Sequence, residues 1–115
     1  MRPQYAIDNA TQFPTLLPDT DPRGPAIKLS AALGFITFSD PQAGLIWFKG
    51  GHNDWTGNMV ICQEARRRCV VFLGNSVRAE VIYPELASFI WGKTAMPWWW
   101  GGWSSSQSHG GPPNP

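Results

Sequence analysis

Between Leu33 and Leu73 the chain places four short apolar runs, joined in pairs by turn-forming residues, which leaves an antiparallel sheet as the economical fold. Leu33 to Phe38 (LGFITF) alternates as a strand, Asp40-Pro41-Gln42-Ala43-Gly44 has turn chemistry, and Leu45 to Lys49 returns as the hairpin partner. Asn58 to Gln63 (NMVICQ) and Cys69 to Leu73 (CVVFL) form a second hairpin that ends at Gly74-Asn75. Pro84 suits the first residue of a helix running to about Trp91, with Gly92 as its stop. The expected class is therefore α+β, with about four antiparallel strands and one C-terminal helix.

These strands are apolar on both faces. Met59 and Ile61 point one way and Val60 the other, while Val70 and Phe72 oppose Val71 and Leu73. A sheet with one wet face would alternate apolar with polar residues instead. One short helix carrying Leu86, Phe89 and Ile90 can cover a single face, so the other is expected to need a partner, either a further portion of protein or a second copy.

At 115 residues the chain holds one domain at most. Residues 1–31 carry Pro3, Pro14, Pro18, Pro22 and Pro25 with little apolar periodicity and read as an extended lead segment. Residues 32–103 hold the sheet, the helix and a Trp-rich tail, and residues 104–115 (SSSQSHGGPPNP) read as disordered. A net charge of +1 with mixed signs gives no case for nucleic acid. Arg66-Arg67-Arg68 reads as a solvated hairpin turn rather than an anion site. No apolar run approaches the roughly 18 residues of a membrane span, and the N-terminus has no stretch of signal-peptide type. Cys62 and Cys69 read as two buried free thiols, with a cross-strand disulfide as the geometrically demanding alternative. Two histidines, His52 and His109, without metal-ligand spacing argue against a metal site, and no cofactor is expected.

The candidate site is Lys49-Gly50-Gly51-His52. A lysine at the end of a buried strand can hold a substrate carboxylate or lower the pKa of a neighbouring hydroxyl. The glycines remove side chains that would keep an extended acyl substrate off the strand, and the His52 amide is placed to donate to a developing oxyanion. His52-Asn53-Asp54 could form an acid–base pair, but a strand-end loop accounts for the same polar residues. The tail Pro97-Trp98-Trp99-Trp100-Gly101-Gly102-Trp103 suits either a sugar or interfacial platform or a cover folded back over the sheet, and the cover is favoured because a single-pass tail is a poor scaffold for a site.

From Lys49 the segments KGGHNDWTG, NMVICQEARRRCVVFLGNS and VRAEVIYPELASFIWG follow one another, preceded by QFPTLLPDTDPRGPAIKLSAALGF and followed by TAMPWWWGGW. In order and spacing this resembles the C-terminal part of the serine β-lactamase and penicillin-binding-protein superfamily, particularly its class C-like esterases and D-alanyl-D-alanine peptidases, over roughly residues 12 to 103. In that superfamily a Lys-Thr-Gly or variant ends a strand, a hairpin and an Asn-containing turn follow, and a last helix packs on the sheet. The resemblance implies substrate-binding roles for Lys49, Gly51 and His52, and a periplasmic or extracellular setting for a complete member. Gly50 stands where the hydroxyl-bearing threonine commonly sits. No serine here has a lysine three residues on, and neither tyrosine has an asparagine two residues on, so the Ser-x-x-Lys nucleophile and the Tyr-x-Asn element are both missing. The chain is accordingly expected to be inactive alone and to act with an N-terminal catalytic portion. The alternative is a non-catalytic module that binds protein or glycan through its apolar sheet face and tail.

Overall fold

The computed structural model describes residues 1–12 and 20–101. The expected disordered segment 104–115, together with Pro14, Pro18 and Trp103, lies outside the described residues. Six strands run in strict sequence order, each antiparallel to the next: β1 (Tyr5–Ala6), β2 (Ser30–Ala31), β3 (Ile36–Asp40), β4 (Gly44–His52), β5 (Gly57–Gln63) and β6 (Arg68–Gly74). The four expected strands are β3 to β6, but β4 does not end at Lys49 as expected: it continues to His52, because β5 pairs with it as far as Gly57. The other two come from the lead segment, whose Gln4 and Ile7 amides donate to the Ala31 and Leu29 carbonyls. Two-residue strands are too short to show an alternating pattern, so the expected number of four becomes six.

Local chemistry accounts for the hairpins. Asp40 Oδ2 accepts from the amides of Gln42 (2.9 Å) and Ala43 (2.8 Å), Pro41 favours the turn, and Gly44 closes it at φ +77°, a conformation that strains any residue with a Cβ. At the β4–β5 tip, Asn53 Oδ1 accepts from the Trp55 and Thr56 amides at 2.8 and 2.9 Å. The β5–β6 turn places Arg67 at φ +52° and brings the Arg66 and Arg68 guanidinium groups to the buried Gln63 Oε1, at 3.5 and 3.4 Å.

The cysteine expectation is corrected: Cys62 and Cys69 form a disulfide. They stand directly opposite each other across β5 and β6 with Cα atoms 4.0 Å apart. The Leu45 carbonyl accepts from the Glu64 amide and the Thr56 carbonyl from the Asn53 amide, so alternate residues of β5 (58, 60, 62, 64) turn their backbone groups toward β4. Cys62 and Cys69 therefore form a non-hydrogen-bonded pair of β5 and β6, the narrower type, which points both side chains to one face and brings the two sulfurs within bonding reach. Closing so short a loop stabilises by about 2–3 kcal/mol in the chain-entropy description. Reduction, or the Cys62→Ala/Cys69→Ala pair, should lower urea-unfolding stability by about that amount, and the denatured, unreduced chain should show no titratable thiol.

One sheet face carries the core. Phe38, Ile46, Phe48, Met59, Ile61 and Phe72 are buried there, joined by Leu29 from the lead segment. After β6 come a 3-10 helix (Val77–Ile82), whose Ser76 side chain accepts from the Arg78 amide, and α2 (Tyr83–Trp91). A four-residue α1 (Arg23–Ala26) precedes β2, and α3 (Trp98–Gly101) follows α2. α2 begins at Tyr83, one residue before the expected start at Pro84, and Gly92, at φ +77°, ends it as the sequence indicates.

The helix does not pack through the expected residues. Tyr83 and Ala87, four apart, face the sheet, whereas Leu86, Phe89 and Ile90 are 37%, 89% and 48% exposed. Ala87 is small enough for close approach, Tyr83 stacks on Phe72 with ring centroids 4.7 Å apart, and Met96 and Trp100 of the following segment join the same core. The opposite sheet face is the one expected to lack cover, and Val71 and Leu73 on it are 58% and 80% exposed. Among the described residues no helix is long and apolar enough to cross a membrane.

Candidate functional site

β4 is longer than its neighbour on one side. β3 pairs with it only as far as Ile36 opposite Phe48, while β5 accompanies it to Gly57 opposite His52. Lys49 to His52 thus form a half-strand that runs past the end of β3. Alternation divides these four residues in two ways. Lys49 and Gly51 share a face with Val60 and Asn58, the open face, whereas Gly50 and His52 share the core face with Met59 and Gly57. By the same alternation Lys49 and Gly51 turn their backbone groups toward β5, and Gly50 and His52 turn theirs to the side where β3 has stopped.

A cavity of about 280 Å³ lies in that notch, walled by Ala32, Phe35, Ile36, Lys49, Gly50 and Trp100. A second, shallower hollow of about 410 Å³ lies on the open face against Lys49, Gly51, Asn58, Val60 and Val71. The Lys49 ammonium is exposed and donates to the Gly50 carbonyl at 3.2 Å. A Cβ built on Gly51 would meet nothing within 4 Å, so packing does not require the glycine there, and its effect is to leave the strand surface bare. The two hollows meet at Lys49 and Gly50, with an apolar wall on one side and an ammonium on the other.

His52 takes a partner that the sequence does not indicate. Its Nδ1 lies 3.5 Å from Glu80 Oε2, and Glu80, in the 3-10 helix, is only 1% exposed. Gly57, opposite His52, makes room for this carboxylate: a Cβ there would sit 2.5 Å from Glu80 Cγ and Oε2. The Tyr83 hydroxyl donates to the Gly57 carbonyl at 2.6 Å, and its pKa is raised, first by burial and then by the Glu80 charge. Asn53 serves the loop, holding the Trp55 and Thr56 amides, in keeping with the strand-end reading of His52-Asn53-Asp54. An isolated Glu in VRAEVI gives no sign of burial, because only the tertiary placement of the 3-10 helix under β5 encloses it.

The tryptophan tail folds back onto the core face. Trp100 is buried with its ring edge-on to Phe48, centroids 6.4 Å apart, and Arg23 lies 4.2 Å over the Trp99 ring. The Gln12 amide donates to the Trp100 carbonyl at 2.8 Å, joining the lead segment to the tail beside the notch. Asp40 secures the approach to the tail, its Oδ1 accepting from the Ala95 amide at 2.6 Å. On the open face Trp47 is half-buried and meets Phe35 edge-on at 4.7 Å. Among the described residues no three His, Cys, Asp or Glu side chains come together as a metal site.

Comparison with protein-family models, curated proteins and solved structures gave no match.

Proposed function

We propose that this chain is the C-terminal sheet portion of a β-lactamase-related serine hydrolase of β-lactamase, D-alanyl-D-alanine peptidase or esterase type. It contributes the Lys-x-Gly strand of an active site whose nucleophile is carried elsewhere. The observation that carries this reading is the half-strand Lys49–Gly50–Gly51–His52, which outruns β3 and whose Lys49 and Gly50 line the notch, while Gly51 lines the hollow on the open face and His52 lies beyond both. An extended acyl substrate laid along that segment would meet backbone donors and acceptors on one side and the Lys49 charge on the other. The unburied Val71 and Leu73 fit a sheet face that meets a catalytic portion bearing Ser-x-x-Lys.

In this role Lys49 orients a substrate carboxylate or stabilises a deprotonated hydroxyl, Gly51 lets substrate approach the strand, and the His52 amide supports the oxyanion. A lysine and an amide stabilise an acyl-transfer transition state only when something attacks, so the chain alone should not turn over nitrocefin or p-nitrophenyl esters. Co-folding with an N-terminal polypeptide that carries Ser-x-x-Lys and Tyr-x-Asn should restore turnover, and Lys49→Ala should then reduce it about 10- to 100-fold with unchanged melting temperature. Full turnover in the Lys49→Ala complex would refute the assignment of the motif.

A second reading, a non-catalytic binding module, is favoured by the helix surface. Ile82, Leu86, Phe89 and Ile90 form an exposed apolar stripe on α2 and the residue before it. Glycan recognition by the tail has less support, since Trp100 is buried and Arg23 covers one face of Trp99. The co-folding measurement separates the readings, because a binding module gains no turnover from the added polypeptide.

A further inference from the structure

The two edges of the sheet are unlike each other. At one end β1 contributes two residues; at the other β6 runs for seven, in an uninterrupted ladder with β5, and among the described residues no strand lies beyond it. Natural edge strands are commonly blunted by proline, an inward charge, a bulge or brevity. β6 shows none of these between Arg68 and Gly74: its interior reads Cys69-Val70-Val71-Phe72-Leu73.

The ladder alternation shows which groups face outward. By this alternation residues 59, 61 and 63 of β5 stand in hydrogen-bonded positions opposite residues 72, 70 and 68 of β6, and the Gly74 amide also turns to β5, donating to Asn58 Oδ1 at 3.3 Å. Cys69, Val71 and Leu73 therefore turn their N–H and C=O groups to the outer edge. The same three residues point their side chains to the open face, where Val71 is 58% and Leu73 80% exposed.

We propose that the outer edge of β6 is a homodimer interface, pairing antiparallel with β6 of a second copy about a two-fold axis through Val71. The strand is self-complementary in this register. Val71 meets Val71 of the second copy, Leu73 meets Cys69, and the sole charged residue, Arg68, meets Gly74, so no like charges are opposed. The outward groups of Cys69, Val71 and Leu73 fall in hydrogen-bonded positions with Leu73, Val71 and Cys69 of the other copy, and their apolar side chains merge into one row on the open face. This inference does not rest on the hydrolase reading.

Sedimentation velocity over a range of concentrations, with residue-resolved amide exchange, tests it. The expected result is a reversible dimer in which the Cys69, Val71 and Leu73 amides become protected as concentration rises. Val71→Pro removes an outward N–H without touching the β5 ladder, and Leu73→Lys charges an exposed edge position; each should raise the dimer dissociation constant about tenfold or more. Val60→Lys, on the same face but in the interior strand β5, should leave dimerisation nearly unchanged. A wild-type chain that is monomeric throughout would overturn the proposal. So would a dimer whose three edge amides stay unprotected, or one abolished by Val60→Lys but not by Val71→Pro or Leu73→Lys, which would mean pairing through the sheet face.

Discussion

Trp100→Ala should lower the unfolding free energy of this chain by about 3–5 kcal/mol, the range for emptying a buried indole site. The ring is almost fully buried, meets Phe48 edge-on and shares its core with Met96 and Leu29, so truncation removes contacts that the short α3 cannot restore by shifting. Domains have only about 5–15 kcal/mol of net stability, and this one is small, so the loss should be visible as a large drop in the urea midpoint. Trp99→Ala provides the comparison. Trp99 is half-buried beneath Arg23, and its loss should cost only about 1 kcal/mol. Equal and small effects from both substitutions would show that the tail is not part of the core.

Asp40→Ala should cost about 3 kcal/mol, with a distinct pH signature. The carboxylate accepts from the Gln42, Ala43 and Ala95 amides, which ties the β3–β4 turn to the segment leading into α3, and alanine would leave those donors without their acceptor. Burial pushes the Asp40 pKa up, but the three amides, helped by Arg66, outweigh it and hold the pKa below the ordinary value. A depressed carboxyl pKa contributes stability that is fully present above the unfolded value, about 4, and is lost as pH falls through the lower folded value. Wild type should therefore lose stability below about pH 4, with a component missing from Asp40→Ala. Asp40→Asn keeps an acceptor oxygen and should lose less, without that component. Denaturation curves at pH 7 and pH 3 for the three proteins measure both effects, and identical pH dependence in all of them would contradict the role given to Asp40.

Much of the site was legible along the chain because it depends on near neighbours. The run Leu45-Ile46-Trp47-Phe48 reads as a strand reaching Lys49, and Asn53 makes a loop with its own neighbours, although the strand itself continues to His52. The notch could not be read in the same way. It exists because β3 stops opposite Phe48 and because Trp100, some fifty residues away in sequence, forms one wall. Glu80 was equally hidden, since its burial follows from the 3-10 helix lying under Gly57 and His52.

Local sequence specified the antiparallel hairpins, the turn at Asp40–Gly44, a polar loop at Asn53-Asp54, the end of α2, and the two-faced apolar character of β5 and β6. Those features follow from a two-residue side-chain period and from turn and cap chemistry acting within a few residues. Tertiary structure alone decided the addition of β1 and β2, the Cys62–Cys69 bond and the face of α2 that packs inward. Each of these is a choice among surfaces of similar local preference. The cysteines could bond because the narrow pair of the β5–β6 ladder brought them together, and Leu86, Phe89 and Ile90 remain outside because Tyr83, Ala87, Met96 and Trp100 occupy the core face. Packing is settled by which side chains together fill a space, and a local pattern does not specify those distant partners.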